Sequence, residues 1–127
     1  MGVDKAVVDN TSAGGIAARI DVRTGVLSAA IDEDPEREVF SKHPTTGAPI
    51  EGVVLPMWDD VLATAVRASE AFPYFRLLAL DISFGADGPV VIELECEPGA
   101  GHQITFGRGV KSLLVDLAKR GPLDWRE

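Results

Sequence analysis

Asp81-Ile-Ser-Phe-Gly-Ala-Asp-Gly-Pro-Val-Val-Ile-Glu93-Leu-Glu95-Cys-Glu97-Pro98-Gly99 is the stretch around which the chain is organised. Leu77 to Phe84 is mostly apolar, Ala86-Asp-Gly-Pro89 carries turn chemistry, and Val90 to Leu94 is apolar and β-branched, so the segment reads as two strands and a tight turn. Side chains alternate along a strand, which sets Glu93 and Glu95 on one face and Leu94 on the other. Asp81 lies twelve residues before Glu93. Folding back symmetrically about Asp87-Gly88 brings it opposite the Glu93–Glu95 end, and three carboxylates then converge on one patch. Like charges that close repel unless a cation lies between them. Hard oxygen ligands on a sheet surface suit Mg²⁺ better than a softer transition metal. The same alternation also describes the solvated face of an ordinary antiparallel sheet, and the carboxylates alone leave both readings open.

The 127 residues suit a single domain with its own core, and at 46% apolar content wholesale disorder is not expected. Lysine and arginine number 12 against 20 acidic residues, a net charge of −8. That balance argues against nucleic acid or an anionic membrane as a main partner, because both need a basic footprint. Cys96 is the single cysteine, so no internal disulfide can form, and its neighbours Glu95 and Glu97 disfavour a thiolate nucleophile. No apolar run is long enough to span a membrane and the first residues lack a signal-peptide pattern, so a cytoplasmic setting is expected.

In chain order, Lys5 to Asp9 is a short strand candidate. Asn10-Thr-Ser-Ala-Gly14-Gly15 follows as a polar loop, read either as an ordinary turn or as a place where backbone amides meet a ligand. Ile16 to Val22 and Val26 to Ile31 form a half-buried hairpin joined at Arg23-Thr-Gly25, with Ile16, Ala18 and Ile20 on one face. Asp32 to Pro49 is expected to be a long irregular connection, first charged and then turn-rich, in which His43 is either a ligand or a surface residue. Pro56 and the acids Asp59 and Asp60 announce a helix whose stripe is Trp58, Val61, Leu62, Ala65, Ser69 and Phe72. A second helix is expected from about Gly107 to Arg120, with Val110, Leu113, Leu114 and Leu117 facing inward. The expected fold is α+β: an antiparallel β-sheet with helices packed on one face.

The pattern Asp81-(x)11-Glu93-x-Glu95-x-x-Pro98-Gly99 resembles the C-terminal half of the ATP-grasp superfamily. With Asn10-(x)3-Gly14-Gly15, His43-Pro-Thr-Thr-Gly47 and Pro56-x-Trp58 upstream, it looks most like the α-L-glutamate-ligase-related and sugar-transfer-associated groups, over roughly residues 5 to 119. The resemblance implies the C-terminal subdomain of an ATP-grasp fold, with the amino-terminal domain and central lid lying before Met1 or on a partner subunit.

It further implies ATP and Mg²⁺ (or Mn²⁺) as cofactors, with Asp81, Glu93 and Glu95 as metal ligands. Glu95 stands where the family motif has Asn. Asn10, Gly14, Gly15, Pro98, Gly99 and Gln103 would flank the acceptor and the acyl phosphate. Several relatives have an arginine two residues before the hairpin Asp; that position is Ala79 here, leaving Arg19 or Arg108 as the charge stabiliser if the fold brings one near. The implied function is half of an ATP- and Mg²⁺-dependent ligase joining a small carboxylate to an amine or related nucleophile. The alternative is a non-catalytic remnant that binds a cation or a protein. Either way, catalysis by the 127 residues alone is not expected.

Overall fold

The turn Asp21-Val-Arg-Thr-Gly25 closes the first hairpin of the structure, a computed structural model. It describes residues 1–3, 11, 14–32, 38–97, 99, 103, 105, 107 and 109–119. The chain divides into two units, Met1–Pro56 with Ile104–Gly107, and Met57–Gln103 with Arg108–Glu127.

In the first unit, Asp21 shapes the turn: its Oδ1 accepts the Arg23 amide (2.9 Å), and its carbonyl accepts the Gly25 amide (2.8 Å). The turn joins β1 (Ala17–Ile20) to β2 (Leu27–Ile31), which pair antiparallel as Ala17↔Ile31, Ala18↔Ala30 and Ile20↔Leu27. Both strands are shorter than the apolar pattern predicts, because Asp21, Val22 and Val26 belong to the turn and a bridge. The expected Lys5–Asp9 strand lies outside the described residues.

The supposedly irregular connection is the main correction. It holds β3 (Val39–Phe40), paired with β2 through Ala30↔Phe40 and Ile31↔Val39. A two-residue strand is too short to show a period, so sequence alternation cannot reveal it. Beyond it, the His43 amide donates to the Ala48 carbonyl and the Gly47 amide to the His43 carbonyl, both at 2.8 Å. This turn returns the chain so that Ile50 joins the core with Ile16 and Ala30, at 2%, 2% and 0% exposure. Val3, Ala18, Leu27 and Phe40 pack around those three.

In the second unit, α1 (Trp58–Glu70) begins after Pro56 without a side-chain cap, and Asp59 and Asp60 meet the positive end of its dipole. Val61 is buried, and Trp58, Leu62, Ala65 and Ala68 are half-buried around it. The expected stripe drifts at its end: Ser69 and Phe72 are exposed, and the Ser69 hydroxyl donates to the Val66 carbonyl (2.8 Å). α1 packs on the two-stranded sheet β4 (Ala79–Gly85) and β5 (Gly88–Glu95). A second described helix, α2 (Lys111–Lys119), starts later than expected. Its Leu113 and Leu114, expected to face inward, are exposed. The Arg76 guanidinium donates to the Leu117 carbonyl (2.6 Å), meeting one of the unpaired acceptors at that helix end. The architecture is α+β, as the element order predicts.

Candidate functional site

The β4–β5 hairpin turns at Ala86-Asp87, one residue earlier than symmetry about Asp87-Gly88 predicts. Glycine is needed on both sides of the turn. Gly88 sits at φ +131°, and a Cβ on Gly85 would lie 3.0 Å from the Gly88 carbonyl oxygen. From the turn the ladder runs Gly85↔Gly88, Phe84↔Pro89, Ser83↔Val90 and Ile82↔Val91. Continued without interruption it would pair Asp81 with Ile92 and turn Glu93 and Glu95 towards α1. Instead the register shifts between Asp81 and Ile82, and the ladder resumes as Asp81↔Glu93, Leu80↔Leu94 and Ala79↔Glu95. Ile92 has no partner on β4; it is the extra residue of a β-bulge.

That bulge decides which face is acidic. Along β4, Leu80 and Ile82 are half-buried, while Asp81 and Ser83 are exposed between and beyond them. Along β5 beyond its first two residues, the half-buried positions are Val91 and Leu94, three apart, with Ile92 and Glu93 both exposed between them and Glu95 exposed beyond. A strand without an extra residue cannot turn positions 91 and 94 to the same side. Asp81, Glu93 and Glu95 therefore share the open face of the hairpin, as expected, but only through the bulge: plain alternation from a turn at Asp87-Gly88 pairs Asp81 with Leu94 and sets the glutamates on the opposite face.

The three do not all converge. Directly opposed strand residues have Cα atoms about 4.5–5.5 Å apart, and Asp81 and Glu93 form such a pair. Glu95 faces the same side opposite Ala79, about 7 Å further along the strand. Among the described residues no group of three His, Cys, Asp or Glu side chains is placed to hold a metal ion. Among them, too, the carboxylates of Asp81, Glu93 and Glu95 take part in no ion pair or side-chain hydrogen bond. Two opposed, solvated carboxylates with no neighbouring cation destabilise a strand pair. The donor set nonetheless fits Mg²⁺, which keeps several waters and uses one or two carboxylates beside a ligand's phosphates rather than an all-protein cage.

Other expected residues are placed differently. Asn10, Pro98 and Arg108 lie outside the described residues. The Gly14 amide donates to the Thr11 carbonyl (3.0 Å), so a turn occupies it, and Gly15 is buried. Gly99 is exposed, with nothing near where a side chain would project. Gln103 serves its own backbone: its Oε1 accepts the Val110 amide (2.9 Å) just before α2. Arg19 is exposed on β1 beside an open hollow of about 330 Å³, lined also by Asp21, Thr24, Val26, Leu27 and Ser28. The polar groups there serve the hairpin, since the Ser28 hydroxyl accepts the Arg19 amide and the Asp21 carboxylate accepts the Arg23 amide.

His43 is a structural pin. Its Nε2 lies 2.8 Å from the Gly2 carbonyl, which requires a proton on that nitrogen, and Nδ1 accepts the amides of Thr45 (3.3 Å) and Thr46 (3.4 Å). Both ring nitrogens are engaged, so the ligand reading has no support here. No helix among the described residues is long and apolar enough to cross a membrane. Sequence reasoning missed Ile92. The sequence held no clear signal for it, because Val90, Val91, Ile92 and Leu94 are all apolar and Val90, Ile92 and Leu94 alternate as an unbroken strand would.

Comparison with known families finds a match to the sequence model described as sugar-transfer associated ATP-grasp, over residues 1–119. Comparison with curated proteins and with solved structures finds no match.

Proposed function

The chain belongs to the sugar-transfer associated ATP-grasp family, and on that premise we propose that it forms the metal-binding and acceptor half of an ATP-dependent ligase. The family is one of ATP-binding, ligase-type proteins. The proposed reaction joins a small carboxylate to an amine or related nucleophile through an acyl phosphate. The nucleotide clamp is contributed from outside these residues, and the setting is cytoplasmic.

The observation that carries the reading is the direct pairing of Asp81 with Glu93 on the open face of β4–β5, with no compensating cation among the described residues. A like-charge pair held in strand register costs stability, and a divalent ion bound between the strands reverses that cost. Asp81 and Glu93 would hold Mg²⁺, with Glu95 reaching a second ion. Bound Mg²⁺ supplies charge neutralisation to the transferring phosphoryl group. The protein's share is to present fixed oxygen donors on a rigid hairpin braced by α1, so that little reorganisation is needed when the ligand arrives.

Glu93→Gln in the complete protein tests this. The expected outcome is loss of Mg²⁺-dependent ADP release, at least a hundredfold, with the melting temperature unchanged or slightly raised. Unchanged turnover would remove Glu93 from the metal site. A second reading, a non-catalytic cation- or protein-binding module, is favoured by Glu95 in the motif's Asn position and by the separation of Glu95 from the opposed pair. No ADP release from the unaltered complete protein, whatever the carboxylate and amine offered, would select it.

A further inference from the structure

We infer that Ile92 is a positioning residue, the extra residue whose bulge aims Glu93 at the gap beside Asp81 and so sets the affinity of the carboxylate pair for a divalent cation. The inference rests on the metal reading above and adds a residue that carries no donor atom. Three observations support it. The register slips by one residue at Asp81/Ile82, leaving Ile92 unpaired. Ile92 and Glu93 are both exposed, between half-buried Val91 and Leu94, which is the side-chain order of a bulge whose two residues stand on one side of the sheet. Ile92 itself is 68% exposed, an apolar side chain that neither packs in a core nor pairs across the ladder.

An apolar β-branched residue open to water gains nothing by burial, so its place is explained by backbone geometry. A bulge bends its strand and increases the local twist. Two directly opposed carboxylates in a flat ladder stand side by side, each pointing straight away from the sheet. The bulge rotates the second residue of the pair, Glu93, relative to Asp81, so that both carboxylates would be able to reach one shared ion.

The test compares Mn²⁺ binding to the full 127-residue chain by electron paramagnetic resonance titration, with the thermal melt read alongside. Deleting Ile92 closes the ladder in the same pairing, Asp81 with Glu93 and Leu80 with Leu94, and keeps every face. The fold therefore survives, and Mn²⁺ affinity falls tenfold or more. Ile92→Val keeps the extra β-branched residue and retains affinity within twofold, which a requirement for the isoleucine side chain itself would not allow. If the deletion does not fold, Ile92→Gly decides. It keeps the residue but frees its backbone, and a loss of threefold or more is expected. Wild-type affinity in the folded deletion variant, or in Ile92→Gly where that is the deciding variant, would overturn the positioning role while leaving the metal site intact. Failure of the metal reading looks different: the unaltered chain then binds no Mn²⁺, or Glu93→Gln binds as well as the unaltered chain, and both inferences fall together.

Discussion

The sheet β1–β3 and the hairpin β4–β5 are built from similar β-branched and small apolar residues, yet they are used in opposite ways. The first surrounds Ile16, Ala30 and Ile50, which are buried almost completely. Its polar side chains serve its own backbone: Asp21 and Thr24 in the hairpin turn, Ser28 between strands, His43 in the return to Ile50. The second rests on α1, whose Val61 at 8% exposure is the buried hydrophobic among that unit's described residues. On its other face it sets Asp81 against Glu93 and leaves Val90 and Ile92 open. A region that satisfies its polar groups internally behaves as scaffold. A region that keeps like charges opposed and unpaired gives up stability that only a ligand restores.

The largest effect should come from the scaffold. Ile50→Ala removes a buried side chain and leaves a cavity beside Ile16 and Ala30, an expected loss of about 2–5 kcal/mol in chemical denaturation. Were Ile50→Ala no worse than a surface substitution, the first region would not be the better packed of the two, and the contrast would fail. A smaller loss is expected at the hairpin's tight end. Gly85→Ala places a Cβ 3.0 Å from the Gly88 carbonyl and 3.2 Å from Val90 Cγ2. The backbone must shift, at about 1–3 kcal/mol, and the paired carboxylates shift with it. The measurement is the melting temperature together with Mn²⁺ affinity; both should fall. A fall in stability alone would mean that the bulge isolates the acidic end from the turn.

How much of this was legible depended on how local the signal was. The acidic hairpin could be read because its turn residues, apolar strands and carboxylates all lie within one segment, and pairing follows from the turn. α1 could be read because Pro56 and the first-turn acids mark its start and its apolar spacing fits a helix. β3 could not: two residues, Val39-Phe40, have no period, and only their pairing with Ala30 and Ile31 makes them a strand. His43 was ambiguous because its partner, Gly2, lies 41 residues away. Glu93 and Glu95 were placed beside Asp81 for a reason that does not hold. Alternation fixes faces within β5, but an unbroken ladder from a turn at either Asp87-Gly88 or Ala86-Asp87 sets both glutamates on the face opposite Asp81; only the bulge at Ile92 brings them to its side.

The smallest effect is the most discriminating, because its sign depends on the cation. Asp81→Asn removes one of two opposed charges and keeps the shape of the side chain. Without divalent ions, relief of the like-charge pair should stabilise the chain by about 0.2–1 kcal/mol. With Mg²⁺ the order should reverse, since an ion that binds only the folded state stabilises it by RT ln(1 + c/Kd), where c is the free Mg²⁺ concentration, and the variant has lost a ligand. The melting curves of the two chains should therefore cross as Mg²⁺ is added. A variant that melts lower at every Mg²⁺ concentration would mean that Asp81 holds the hairpin by a contact of its own. The opposed carboxylates would then be part of the scaffold, and the distinction between the two regions would disappear.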